Sequence, residues 1–127
     1  MNNKIIRSYK DLIVYQKAYK LALEIYKVTK NYPKEEVYGL VSQMRRSAVS
    51  IPCNISEGYR RGHRKEYIQF LHMAHGSCGE LETLLSLSMD LGFIEKELFK
   101  SLYQQQEEIS RLLNGLTLAL SKIKKQE

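Results

Sequence analysis

The stretch from Ser50 to Glu66, "SIPCNISEGYRRGHRKE", decides the fold, because it reads as a catalytic loop, a nucleic-acid contact or only a corner between helices. The apolar residues that lead into it settle the first half. Val37, Val41, Met44, Ala48, Ile51 and Ile55 alternate spacings of four and three, which is one face of a helix, and the row passes Pro52 without losing phase. A proline inside a helix lacks one backbone donor and presses on the carbonyl four residues earlier, here that of Ala48. The unbroken row therefore predicts a second helix bent at Pro52 rather than ended there. Gly58 and Gly62 flank "YRR", and either can supply the left-handed residue that closes a helix.

Working outward, Val14, Ala18, Leu21, Ile25, Val28 and Tyr32 give a first helix from Leu12 to about Tyr32. Tyr19, Leu23 and Tyr26 form a second, narrower row beside that stripe, placed for association with another chain. Pro33, Glu35 and Glu36 suit the first turn of the second helix. Tyr67, Leu71, Ala74, Cys78, Leu81, Leu85 and Ser88 predict a third helix from about His63 to Leu91, stopped by Gly92. Leu98, Leu102, Ile109, Leu112, Leu116, Ala119 and Ile123 predict a fourth, ending in "KIKKQE". Four amphipathic helices on short connections make an all-α, antiparallel up-down-up-down four-helix bundle. The expectation is one domain over residues 1–127, with residues 1–10 flexible or extended.

The 127 residues suffice for one modest core, and 43% hydrophobic content with only 2 prolines argues against disorder. There is no signal-peptide pattern and no run of apolar residues long enough to span a bilayer, so a soluble, cytoplasmic protein is expected. Cys53 and Cys78 lack a CxxC pattern and read as small buried hydrophobes. The net charge of +6 is unevenly spread: residues 1–65 hold 14 basic and 5 acidic side chains, residues 66–127 hold 6 and 9. Such polarity suits an anionic partner, and equally suits pairing between acidic and basic subunit surfaces.

The search for catalytic chemistry returns little. Di-metal bundles need Glu-x-x-His pairs, and none exists, since Arg60, Gln69 and His72 precede His63, His72 and His75 by three. His72 and His75 have zinc-compatible spacing but only Cys78 as a third donor, which the helical stripe places in the core. An Arg-to-His pair of the kind used by bundle-shaped ribonucleases fails on spacing at both Arg64 to His72 and Arg60 to His63. Nucleophile-elbow, Walker, dinucleotide and HExxH motifs are absent. The expectation is no enzyme activity, no catalytic residue, no metal and no cofactor.

The second half of the opening stretch is different in kind. His63 and Glu66 have the outline of a capping box with His in place of Ser or Thr, while Arg64 and Lys65 put positive charge where the helix dipole is already positive. A phosphate would relieve both the charge and the free N–H groups of that turn. Arg60, Arg61, Arg64 and Lys65 are thus candidate phosphate contacts, with Arg45 and Arg46 about four turns back along the second helix. Without a base-reading motif, such binding would be to backbone and shape, not sequence.

The elements "DLIVYQKA", "YPKEEVYGLVSQMRRSAVSIPCNISEG", "RKEYIQFL" and "GSCGELETLL" together resemble the bacterial four helix bundle protein family, encoded in intervening sequences of 23S ribosomal RNA genes. The resemblance covers about residues 11–94. It implies an antiparallel bundle assembled into a ring, a homopentamer, as in the related accessory variability determinant of diversity-generating retroelements. That relative binds RNA and DNA through basic surfaces and associates with a reverse transcriptase. Carried onto this chain, Arg45, Arg46, Arg60, Arg61, Arg64 and Lys65 become the nucleic-acid contacts, and Pro52, Asn54, Glu57 and Gly58 become structural. His63 departs from the Ser or Thr usual at that cap. The leading expectation is a non-enzymatic oligomeric accessory protein that binds nucleic acid, ribosomal or other RNA or DNA, with a reverse transcriptase as a further partner open to it. The rival is a purely structural or protein-interaction oligomer.

Overall fold

Helix formation follows the apolar spacing, and the ends follow local chemistry. The computed structural model describes residues 5–123. It contains α1 (Ile13–Thr29), α2 (Leu40–Arg61), α3 (Arg64–Asp90) and α4 (Lys96–Ser121), with two short 3-10 turns, Tyr9–Asp11 before α1 and Lys34–Glu36 before α2. The packed helix pairs are α1 with α2, α2 with α3, α3 with α4 and α4 with α1, so the four close into a cycle. Gly62 and His63 alone link α2 to α3, which forces those neighbours antiparallel. The expected four-helix bundle is the observed fold.

The core is the set of stripes read from the spacing. Leu21 and Ile25 of α1, Met44, Ile51 and Ile55 of α2, Leu71, Leu81 and Leu85 of α3, and Leu102 and Ile109 of α4 are all essentially inaccessible to water. Removing one such Leu or Ile side chain to Ala in a packed core typically costs about 2–5 kcal/mol. Pro52 lies inside α2 and is itself buried, and the helix runs on past it to Arg61.

Several expectations need correction. Pro33 opens a 3-10 turn, not α2; Gly39, at φ −110° and ψ −109°, breaks the path, and α2 starts at Leu40. Val37 therefore lies outside the stripe and is exposed, as is Tyr38. Cys53 is exposed on α2, whereas Cys78 is buried as expected. In α4 the row shifts by one residue: Leu113 and Gln106 are fully buried, Leu112 is half-buried, and Ala119 and Ile123 are exposed. The α4 stripe thus loses its cover in its last turns. Ser8 to Asp11, expected to be extended in part, is a 3-10 turn closed by a true capping box: Lys10 N donates to Ser8 Oγ at 3.1 Å and Ser8 N to Asp11 Oδ2 at 3.3 Å. Of the terminal stretches, residues 1–4 and the final "KKQE" lie outside the described residues.

Candidate nucleic-acid interface

Antiparallel packing of α1 on α2 sorts the basic residues into two groups at opposite ends of α2. Fifteen helical residues separate Arg45 from Arg60, about 22 Å along the axis. The six predicted phosphate contacts are therefore not one cluster.

At the corner end, Gly62 is the left-handed residue (φ 80°) that terminates α2, and His63 gives the first turn of α3 no side-chain cap. The capping-box outline at His63 and Glu66 is not realised. Arg61 is engaged with its own helix, Nε donating to Glu57 Oε2 at 2.9 Å, and its guanidinium lies 5.0 Å from the Phe70 ring centre. Arg64 reaches across to α4, where it donates at 3.4 Å to the carbonyl of Leu120, which also accepts from Ile123 N at that helix end. Arg60 and Lys65 are exposed, with no hydrogen bond or ion pair among the described residues. Arg60 shares a shallow cleft with Arg7, Lys10 and Tyr59, so the segment before α1 adds two cations that the helical reading missed. The Ser-x-x-Asp capping signal at Ser8 was the clue that this segment is held in place.

At the other end, Arg45 is fixed by three contacts. Its Nε donates to Thr29 Oγ1 at 2.9 Å, its terminal nitrogen to the Tyr26 carbonyl at 3.3 Å, and its guanidinium stands 4.6 Å from the Tyr26 ring centre. Arg46 is exposed and, among the described residues, without a partner. Both line a cleft of about 520 Å³ together with Lys30, Lys34 and three tyrosines.

Between the two ends, Tyr19, Leu23 and Tyr26 are exposed along α1, 60% in the case of Leu23, and with Tyr15, Pro52 and Cys53 they bound an apolar cleft of about 240 Å³. Burial, then the neighbouring Tyr9, Tyr19 and Cys53, raises the Tyr15 phenol above its ordinary range. The His72, His75 and Cys78 set is divided by the fold: His72 is exposed while Cys78 is buried, and its thiol is pushed up to about 11 by burial. Among the described residues no three His, Cys, Asp or Glu side chains converge, and no helix is long and apolar enough to cross a membrane.

The sequence profile of the 23S rRNA-intervening sequence proteins matches residues 10–115. The chain belongs to that family. A solved structure of similar fold is a protein of unknown function from the S23 ribosomal protein family of Bacteroides thetaiotaomicron, with a TM-score of 0.77 and 27% identity, covering 83% of this chain and 95% of that one. No curated protein matches the chain.

The span that matches the 23S rRNA-intervening sequence proteins includes "SIPCNISEG", and in this chain that segment is a packing device. Ser50 Oγ is 2.6 Å from Ser77 Oγ of α3, and Asn54 Nδ2 donates to the Ser50 carbonyl at 2.8 Å. Gly58 lets α3 approach so closely that a Cβ there would sit 2.7 Å from Phe70 Cβ. These residues hold α2 against α3 and so aim the corner.

Proposed function

We propose that this chain is a non-enzymatic accessory protein of the cytoplasm that binds RNA or DNA backbones through basic residues of its first half and works as a homo-oligomer. The observation that carries the reading is that Arg46, Arg60 and Lys65 stand exposed and, among the described residues, unpaired. They belong to a half-chain with 14 basic against 5 acidic side chains. Unpaired cations on a fixed scaffold release counterions from a phosphate backbone when they bind it, which supplies affinity without sequence preference. Arg61 and Arg64 keep intramolecular partners and act mainly by shaping the corner.

The test is a salt titration of RNA binding. Log affinity is expected to fall linearly with log salt. Changing Arg46, Arg60 and Lys65 together to Ala should weaken binding and reduce the slope by somewhat under one unit for each phosphate no longer neutralised. A flat salt response, or a triple variant that binds like the parent, would refute the reading.

Self-association rests on a separate observation. The exposed Tyr19, Leu23 and Tyr26 row lies on the basic half, while the outer face of α3, on the acidic half, exposes Met73 and Leu87. Unlike faces of this kind support head-to-tail contact, which forms a ring when the rotation between copies closes and a filament when it does not; the resemblance to the ring-forming bundle proteins implies a ring of five.

A further inference from the structure

Both clefts set tyrosines among cations, but Tyr9 and Tyr59 at the corner are part-buried, whereas the far cleft presents a ring that lies almost wholly in water. The far cleft, between the end of α1 and the start of α2, carries aromatic rings among its cations: Tyr26, Tyr32 and Tyr38 alongside Lys30, Lys34, Arg45 and Arg46, with no carboxylate in its lining. Tyr38 is 97% exposed, so folding gains nothing from burying its ring. The 3-10 turn Lys34–Glu36 and the break at Gly39 hold its backbone just ahead of α2. Arg45 is already immobilised by Thr29 and Tyr26, and Thr29 Oγ1 is itself tied to the Ile25 carbonyl at 2.7 Å. Only part of the five-donor guanidinium is used by those bonds, leaving N–H groups for a ligand at small entropic cost.

We infer that this cleft binds an unpaired nucleotide, with its phosphate among Lys30, Lys34, Arg45 and Arg46 and its base stacked on Tyr38. The cleft, about 520 Å³, is within the range of roughly 300–1,000 Å³ usual for small-ligand sites. An open aromatic ring beside cations is the arrangement by which single strands are held, because an unpaired base offers its π-face and a base within a duplex does not. Phosphate contact alone would favour the more densely charged duplex; the exposed tyrosine supplies the term that favours single strands. This inference rests on the nucleic-acid reading above and adds the form of nucleic acid that is bound.

The experiment compares fluorescence anisotropy of a labelled oligouridylate with that of a labelled RNA duplex, using the full chain and its Tyr38→Ala, Tyr38→Phe and Lys30→Ala/Lys34→Ala variants. Tyr38→Ala should weaken oligouridylate binding about tenfold and leave duplex binding unchanged, while Tyr38→Phe retains the parent affinity. The double lysine variant should weaken both and flatten the salt slope. Because Tyr38 is almost wholly in water, circular dichroism should show an unaltered fold. If the parent binds RNA with the expected salt dependence but Tyr38→Ala binds oligouridylate as the parent does, the inference fails and the backbone reading stands. If the parent binds neither RNA, both fail. Free uridine monophosphate competing as tightly as the oligonucleotide would assign the cleft to a mononucleotide and overturn the single-strand form of the inference.

Discussion

Tyr67 stands at the close crossing of α3 over α2, with its ring edge-on to Tyr59 at 5.9 Å and its Cδ1 and carbonyl oxygen 3.2 Å from where a Cβ on Gly58 would stand. The helical spacing already turned it inward, but only the structure shows how far. It is half-buried, and burial first, then the neighbouring Tyr59, pushes its phenol from 10 up to about 12. A folded-state value raised above the unfolded one means that the neutral phenol is favoured in the fold. The associated stability is complete below pH 10 and is lost as pH rises toward 12. The part of the ring open to water screens the effect, so its size is no more than about 2 kcal/mol. Urea unfolding at pH 9 to 12 should show the parent losing more stability than Tyr67→Phe over that interval. Tyr15, Tyr32 and Tyr103 are raised too, so the comparison with the variant isolates Tyr67. Identical profiles for parent and variant would remove Tyr67 from the account.

At the scale of the helices, Gly58 and Gly62 illustrate what spacing can and cannot reveal. Both were eligible to end α2, since the chain offers two glycines four residues apart and a local rule cannot choose between them. Gly62 ends it with φ 80°; Gly58 stays helical because α3 needs the space. The α2 start failed for a similar reason. Proline and two glutamates are good first-turn residues, yet the backbone at Gly39 interrupts the path, so they form a separate 3-10 turn. The expectation that α2 continues past Pro52 held because the apolar row stayed in phase across it. Gly→Ala inside a helix normally gains up to about 1 kcal/mol. At Gly58 the new Cβ would meet Phe70 Cβ at 2.7 Å and the Tyr67 carbonyl at 3.2 Å, and neither is the free end of a flexible side chain. Overpacking of that kind costs about 1–3 kcal/mol, so Gly58→Ala should lower the thermal midpoint. At Gly79, inside α3 but with nothing within 4 Å of the added Cβ, the same change should raise it. A Gly58→Ala protein as stable as the Gly79→Ala protein would mean that α2 and α3 are not held this closely.

For the molecule as a whole, the four stripes and hence the bundle were legible because each helix buries a continuous face, but the candidate site was only half legible. Charge counting along the chain located the basic half, and helical spacing already set Arg45 and Arg46 about four turns from Arg60; neither revealed that Arg7, Lys10, Lys30 and Lys34 join them from the segments around α1. Those are tertiary neighbours without a sequence period. The same packing leaves the Tyr19, Leu23 and Tyr26 row uncovered beside an apolar cleft of about 240 Å³. A second copy presenting the acidic α3–α4 side, with Met73 and Leu87 exposed on α3, offers matching apolar contacts and opposite charge. Association of unlike faces needs both, and the two contributions separate experimentally. A carboxylate introduced by Leu23→Glu must be desolvated at the centre of the contact, against a typical penalty of several kcal/mol. Light scattering should therefore show a defined oligomer for the parent and a monomer for Leu23→Glu, with helix content by circular dichroism unchanged because Leu23 is 60% exposed within the single chain. Rising salt should loosen the parent oligomer only partly, since screening weakens the charge pairing and leaves apolar contact intact. If Leu23→Glu keeps the parent mass, the row is not the contact. If the parent is itself monomeric, self-association through this row is ruled out.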